Sequence, residues 1–163
     1  MNGKPIIFLD VDGVLHPFHG HMNLDQITTF HKDCMERLVR LVTETDSELV
    51  LSTSWRNFAS TRNRLKANLA EYGLSFQRWI EPDSVASSGS ASSGKLSKIL
   101  SFVQAHNPPE WAVLDDEDLV TLSGLPRDST MVQLFESRFV RTDSKTGMTD
   151  KDASHSRSIL IDS

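Results

Sequence analysis

Three short stretches of this sequence carry side chains able to bind a metal and a phosphate. Asp10 and Asp12 stand two apart in FLDVDGVL, Thr53, Ser54 and Arg56 cluster in LVLSTSWR, and Asp115, Asp116, Glu117 and Asp118 run together in LDDEDL. Carboxylates in this number need a cation if the fold brings them together. Hard oxygen donors select magnesium over metals that prefer thiolate or imidazole, and magnesium keeps waters and recruits a substrate phosphate. A phosphate-handling site is the chemistry such a set would support.

The elements around these stretches must make them meet. Pro5 to Val11 is an apolar, β-branched run ending in acids, as expected of a buried strand. Cys34, Leu38, Leu41 and Val42 recur at helical spacing, and Glu48 to Thr53 reads as a second strand. Phe58, Arg62, Leu65, Leu69 and Tyr72 trace a helix face closed by Gly73, and SFQRWIE is a candidate third strand. Leu96, Ile99, Leu100 and Val103 mark a helix halted before Pro108 and Pro109, and WAVL is a strand ending in Asp115 and Asp116. A last strand is expected within MVQLF or RFV, and Thr149 is placed to cap a final helix carrying Ala153, Ile159 and Leu160. Strands alternating with helices imply an α/β fold with a Rossmann-like, doubly wound, mostly parallel sheet. Ligands of such a sheet bind outside the carboxyl ends of its strands, where all three polar stretches fall.

The stretch GSASSGKLS, Gly89 to Ser97, overlays the phosphate-cradling G-x-x-x-x-G-K-[ST] loop at Gly89, Gly94 and Lys95. Leu96 stands where that loop needs a hydroxyl for magnesium, and no apolar strand precedes it, so the P-loop reading fails. The chain has 163 residues, 38% of them hydrophobic, which suits a single domain spanning 1–163. Its net charge of −5 provides no global attraction to nucleic acid or membrane. Cys34 is the only cysteine and reads as a buried structural thiol. PIIFL is cut short by Asp10, so neither a secretory signal nor a membrane span is expected, and a cytoplasmic location is the simplest expectation.

FLDVDGVL, LVLSTSWR, a lysine opening a helix, and WAVLDDEDL occur in that order from Ile6 to about Leu119, and together they resemble the haloacid dehalogenase (HAD) superfamily of phosphohydrolases. The tail FVRTDSKTGMT resembles the ends of small, capless members, some joined to RNA-repair enzymes. The resemblance implies that Asp10 is the nucleophile forming an aspartyl-phosphate, with Asp12 as general acid and base. It implies that Thr53 bonds the transferring phosphoryl group and that Lys95 neutralises its charge, with Lys98, one turn later, as the competing lysine. It further implies a Mg2+ site formed by the Asp10 carboxylate, the Asp12 carbonyl, Asp115 and Asp116, the division between the last two being open.

Ser54, Arg56 and His16 are the candidate substrate contacts. Arg56 reads equally as a surface ion pair, and Trp55 as packing. His16, His19 and His21 have zinc-like spacing but lack a fourth ligand or nearby cysteine, so 12–30 reads instead as a flap-like loop with a histidine touching substrate. Glu117 and Asp118 solvate a loop or start a short helix, and Arg62, Arg64 and Lys66 read as a solvated helix face. The Ser/Gly-rich loop 84–94 cannot build a packed lid, and neither slot used by cap domains has room for one. An open site of this kind implies a phosphorylated partner that is itself large, a nucleic-acid end or phosphoprotein, or else weak and broad activity on small esters. The different-class alternative is a noncatalytic phosphate- or RNA-end-binding module. Phosphotransfer to an acceptor other than water and the oligomeric state are also left open.

Overall fold

Ile6–Leu9, four consecutive buried apolar residues, form β1, the central strand of a five-stranded sheet. The computed structural model describes residues 3–18, 29–83 and 94–162. Around β1 lie β2 (Glu48–Leu51), β3 (Phe76–Trp79), β4 (Trp111–Asp115) and β5 (Phe139–Arg141), in the order β3-β2-β1-β4-β5. Every pairing is parallel. A parallel sheet is covered on both faces, which is why β1, β2 and β4 are apolar runs rather than alternating ones.

Alternate residues of β1 divide the core into two layers. Ile7 and Leu9 pack with Met35 and Leu38 of α1 (Lys32–Thr45), Leu65 and Leu69 of α2 (Ala59–Ala70), and Ile159 of α6 (Asp150–Ile161). Ile6 and Phe8 face the opposite way, toward Leu96 and Ile99 of α3 (Lys95–His106), Leu119 of α4 (Leu119–Ser123) and Phe135 of α5 (Thr130–Arg138). Among the described residues no cap domain interrupts this plan.

Most elements fall where their patterns put them, with informative differences. Of the two candidates for the last strand, MVQLF lies in α5 and the RFV stretch supplies the strand, Phe139–Arg141. The Ser129 hydroxyl accepts from the Val132 N–H and starts that helix, a capping signal that outweighs the strand-like apolar run. β2 ends at Leu51, and Thr53 caps a 3₁₀ turn, Ser54–Asn57, by accepting from the Trp55 N–H at 3.3 Å. Phe58 is not on the core face of α2; it precedes the helix and is 64% exposed. Thr149 caps α6 in a reciprocal pair with Asp152.

The C-terminal segment braces the loop that follows β1. Thr142 Oγ1 donates to the Gly13 carbonyl at 2.7 Å, the Met148 N–H to the Val14 carbonyl at 2.7 Å, and the Phe18 N–H to the Ser144 carbonyl at 2.8 Å. Gly147 permits this closeness: its φ is +70°, and a Cβ there would lie 2.9 Å from both Cys34 Sγ and the Val14 oxygen. Burial pushes the Cys34 thiol up, in keeping with an inert packing role. No helix among the described residues is long and apolar enough to cross a membrane.

Candidate active site

Strand register explains how the acids meet. Leu9 pairs with Leu51 on one side and with Leu114 on the other, so the next residues, Asp10, Ser52 and Asp115, emerge at one level. The level is held by the Asp10 N–H bonding the Leu114 carbonyl and the Ser52 N–H bonding the Leu9 carbonyl, each at 3.0 Å. The chain builds β2 and β3 on one side of β1 before crossing to β4 and β5 on the other, so Asp10 stands at the topological switch point.

Oxygens of Asp10, Asp115 and Asp116 lie within 4.8 Å of one another. Lys95, the first residue of α3, points its buried ammonium at them, 2.7 Å from Asp115 Oδ2 and 3.8 Å from Asp10 Oδ1. Lys98 is committed elsewhere, donating to Asp83 Oδ1 at 2.8 Å. The structure therefore brings Lys95, and not its competitor, to the acids. Gly13 makes room for Asp116: its φ is +77°, and a Cβ would fall 2.3 Å from Asp116 Oδ2.

Three carboxylates against one ammonium leave two negative charges over when all are ionised. This excess opposes ionisation of the acids. Burial and then Asp115 hold the Asp10 carboxyl well above its ordinary range, with Lys95 offsetting only part. Burial and Asp115 likewise raise Asp116 to about 6. Burial alone would disfavour the Lys95 ammonium, but Asp10 and Asp115 outweigh it and keep it charged. A buried set of oxygen donors short of two positive charges fits Mg2+. Asp115 is the most constrained donor, because Oδ2 takes Lys95 and Oδ1 takes the Glu117 N–H at 2.9 Å.

Asp12 is held apart from that cluster by two ring nitrogens. His16 Nε2 is 2.8 Å from Oδ1, and Trp55 Nε1 donates at 3.2 Å to Oδ2 and 3.4 Å to Oδ1. His16, a candidate substrate contact, is largely enclosed by protein. Its ring is 5% exposed, and both nitrogens are engaged, Nδ1 with the Pro17 carbonyl at 2.7 Å. Trp55 is the residue that pattern reasoning missed: it does pack, at 0% exposure, but a buried indole must also place its N–H.

Arg56 is not the surface ion pair that its sequence position also allows. It is 1% exposed, and its guanidinium binds the carbonyls of Ser52, Thr53 and Glu81 and the Asp83 carboxylate. These bonds tie the end of β2 to the segment after β3, which makes Arg56 part of the scaffold. Ser54 is exposed at the rim, whereas Thr53 is fully buried. Among the described residues, Ser52 Oγ is a buried side-chain polar atom without a hydrogen-bond partner. Asp118 caps α4 through the Thr121 N–H at 3.2 Å, as a helix starter. Arg62 and Arg64 are half-buried over the rings of Trp79 and Trp55, at 4.5 and 5.3 Å, rather than on a plain solvated face. His19, His21, residues 19–28 of the flap-like loop and residues 84–93 of the Ser/Gly-rich loop lie outside the described residues.

No curated protein sequence matches the chain. Among solved structures, D,D-heptose 1,7-bisphosphate phosphatase from B. bronchiseptica, complexed with magnesium and phosphate, superposes with a TM-score of 0.55 at 13% identity, covering 99% of this chain and 100% of that one. A chain of the Pnkp1/Rnl/Hen1 complex superposes with a TM-score of 0.51 at 12% identity over 90% of this chain, which spans 47% of that one. Identities this low show a shared fold. The sequence itself, over residues 6–153, matches the family described as the HAD domain in Swiss Army Knife RNA repair proteins. That match spans most of the chain, which therefore belongs to that family of HAD domains.

Proposed function

We propose that the protein is a magnesium-dependent phosphohydrolase working through a phosphorylated Asp10. The observation that carries this reading is the meeting of Asp10 with Lys95, Asp115 and Asp116 at one level of the sheet. The Asp10 carboxylate attacks phosphorus, the bond to the leaving oxygen breaks, and the Asp12 carboxyl gives that oxygen its proton. The Asp12 carboxylate then takes a proton from water as the water oxygen attacks phosphorus, releasing phosphate and restoring Asp10. Lys95 offsets the charge gathered on the phosphoryl oxygens. Magnesium held by Asp10, Asp115 and Asp116, with the Asp12 carbonyl as a further ligand, would supply the two charges the acids lack and polarise the phosphoryl group.

The hydroxyl contact to the phosphoryl group falls to Thr53, whose oxygen accepts from the Trp55 N–H and keeps its own hydrogen to donate. Ser54 is the exposed contact for the remainder of the substrate.

The substrate we propose is a phosphate on a macromolecule, a nucleic-acid end before a phosphoprotein. The lack of a cap among the described residues supports this, since an uncovered site gains little from enclosing a small metabolite. The family's description as RNA-repair domains, and the fold shared with a chain of the Pnkp1/Rnl/Hen1 complex, favour the nucleic-acid end.

The test is release of 4-nitrophenol from 4-nitrophenyl phosphate with and without magnesium, followed by phosphorylated RNA ends, phosphopeptides and small phosphate esters. Magnesium-dependent turnover with RNA ends preferred is the expected result. No turnover of any ester would leave a binding module. A small metabolite hydrolysed with kcat/KM above about 10⁵ M⁻¹s⁻¹ would sink the macromolecular assignment.

A further inference from the structure

The D-x-D pattern specifies a second aspartate but says nothing of what holds it. Asp12 has no strand register to fix it, because it lies beyond β1 in a loop, and the Lys95 contacts go to Asp10 and Asp115 instead. Its carboxyl is nevertheless gripped from two directions. Trp55, from the turn after β2, can only donate, and its indole N–H reaches both oxygens. His16, four residues on in the same loop, reaches Oδ1 through Nε2.

The imidazole itself is locked. The Pro17 carbonyl can only accept, so Nδ1 at 2.7 Å carries a hydrogen and the ring orientation is set. Phe30 stacks on the ring with centroids 5.8 Å apart and planes within 7°, and Phe18 meets it edge-on at 6.3 Å. Phe30 also packs against Trp55, at 5.7 Å, so the two groups that hold Asp12 share a wall. A ring fixed at one nitrogen by backbone, stacked on one face and presenting its other nitrogen to a carboxyl is the arrangement of an orienting group.

We propose that His16 is a positioning residue for Asp12, acting with Trp55 to hold its carboxyl where it can hand a proton to the leaving oxygen. The inference rests on Asp12 being the general acid of the reaction proposed above. A general acid contributes only when it lies within hydrogen-bond reach of that oxygen, and a carboxyl free to turn spends little time there. Both His16 nitrogens are occupied by protein, so it acts through Asp12 and not on the substrate.

The experiment compares two aryl phosphates in the full chain. The 4-nitrophenolate group leaves readily without a proton, whereas phenol, with a pKa near the tyrosine value of about 10, needs one. His16→Leu is expected to lose about 10²-fold in kcat/KM on phenyl phosphate, the lower end of what general acid catalysis supplies, while keeping most of its kcat/KM on 4-nitrophenyl phosphate; kcat/KM reports the step that expels the leaving oxygen and not the later attack by water, which is common to both esters. Trp55→Phe, which keeps a packed ring and loses the donor, should shift the same ratio in the same direction. His16→Gln should recover much of the phenyl phosphate rate, because its amide can offer Asp12 either an N–H or a carbonyl. Retained activity on the nitrophenyl ester shows that each variant is folded. Equal losses of kcat/KM on both esters in His16→Leu and Trp55→Phe, or a His16→Gln no better than His16→Leu, overturn the positioning role while leaving the phosphatase reading intact. A wild-type protein inert on both esters overturns the two together.

Discussion

The Lys95 ammonium donates to Asp115 Oδ2 at 2.7 Å and stands 3.8 Å from Asp10 Oδ1, so one buried cation serves the ends of β1 and β4 together. Its removal takes away the ammonium that pairs with Asp115 and faces Asp10. Lys95→Ala is expected to reduce kcat by about 10²–10³, the cost of one preorganised donor. Lys98→Ala should keep near-normal turnover, because Lys98 bonds Asp83 and the Pro82 carbonyl. Kinetics of the two variants on 4-nitrophenyl phosphate check this, and the reverse ranking would move the role to Lys98.

Asp10→Asn should abolish turnover yet raise the melting temperature of the metal-free protein, since it removes one of three mutually repelling carboxyls. Beryllium fluoride with magnesium should form its adduct on Asp10 in the wild type. A crystallographic adduct on any other carboxylate would reassign the nucleophile.

Magnesium should stabilise the fold, most strongly above neutrality. Asp116 is raised from its ordinary value to about 6, so between about pH 4 and 6 the folded metal-free protein binds more protons than the unfolded chain, and its stability falls as pH rises through that window. Magnesium answers the same charge excess. At a hundredfold excess over its Kd it adds about 2.7 kcal/mol, roughly 5–10 °C in melting temperature at this chain length. Thermal unfolding at pH 7.5 and pH 5, with and without magnesium, should show the larger shift at pH 7.5.

Asp83 supports the scaffold beneath the site. Burial pushes its carboxyl up, but hydrogen bonds from Lys98 and Asn57 and the Arg56 charge outweigh burial and hold it below the ordinary range. A depressed carboxyl contributes stability that is present above its unfolded value near 4 and is lost as pH falls through the lower folded value. Asp83→Asn should therefore cost on the order of 1–3 kcal/mol at pH 7, as Arg56 loses its ionised partner, and should flatten the acid limb of a urea-denaturation profile. An unchanged profile would remove Asp83 from the scaffold.

Ser52→Ala should leave stability unchanged or slightly higher, because the hydroxyl it removes is buried without a partner. Urea denaturation tests this directly. A loss of more than about 1 kcal/mol would mean that the hydroxyl is bonded in the folded protein.

The order of strands and helices was legible from the sequence because it rests on local pattern, apolar runs that end in carboxylates and residues at helical spacing, whereas the parts given to Thr53 and Lys95 came from a family resemblance. The fate of MVQLF was not legible, since five mostly apolar residues suit strand or helix until the Ser129 cap and packing on Trp111 decide. Lys95 and Lys98 differ by one turn, and only the start of α3 beside β4 turns the first toward Asp115 and leaves the second to Asp83. His16, Trp55 and Arg56 changed meaning for the same reason. A side chain's type states what it can bond, but a histidine, an indole or a guanidinium bonds whatever the tertiary fold places at its nitrogens. For these three, the fold supplied the Asp12 carboxyl, the Pro17 carbonyl and a ring of backbone oxygens, partners drawn in part from distant strands that no local pattern connects.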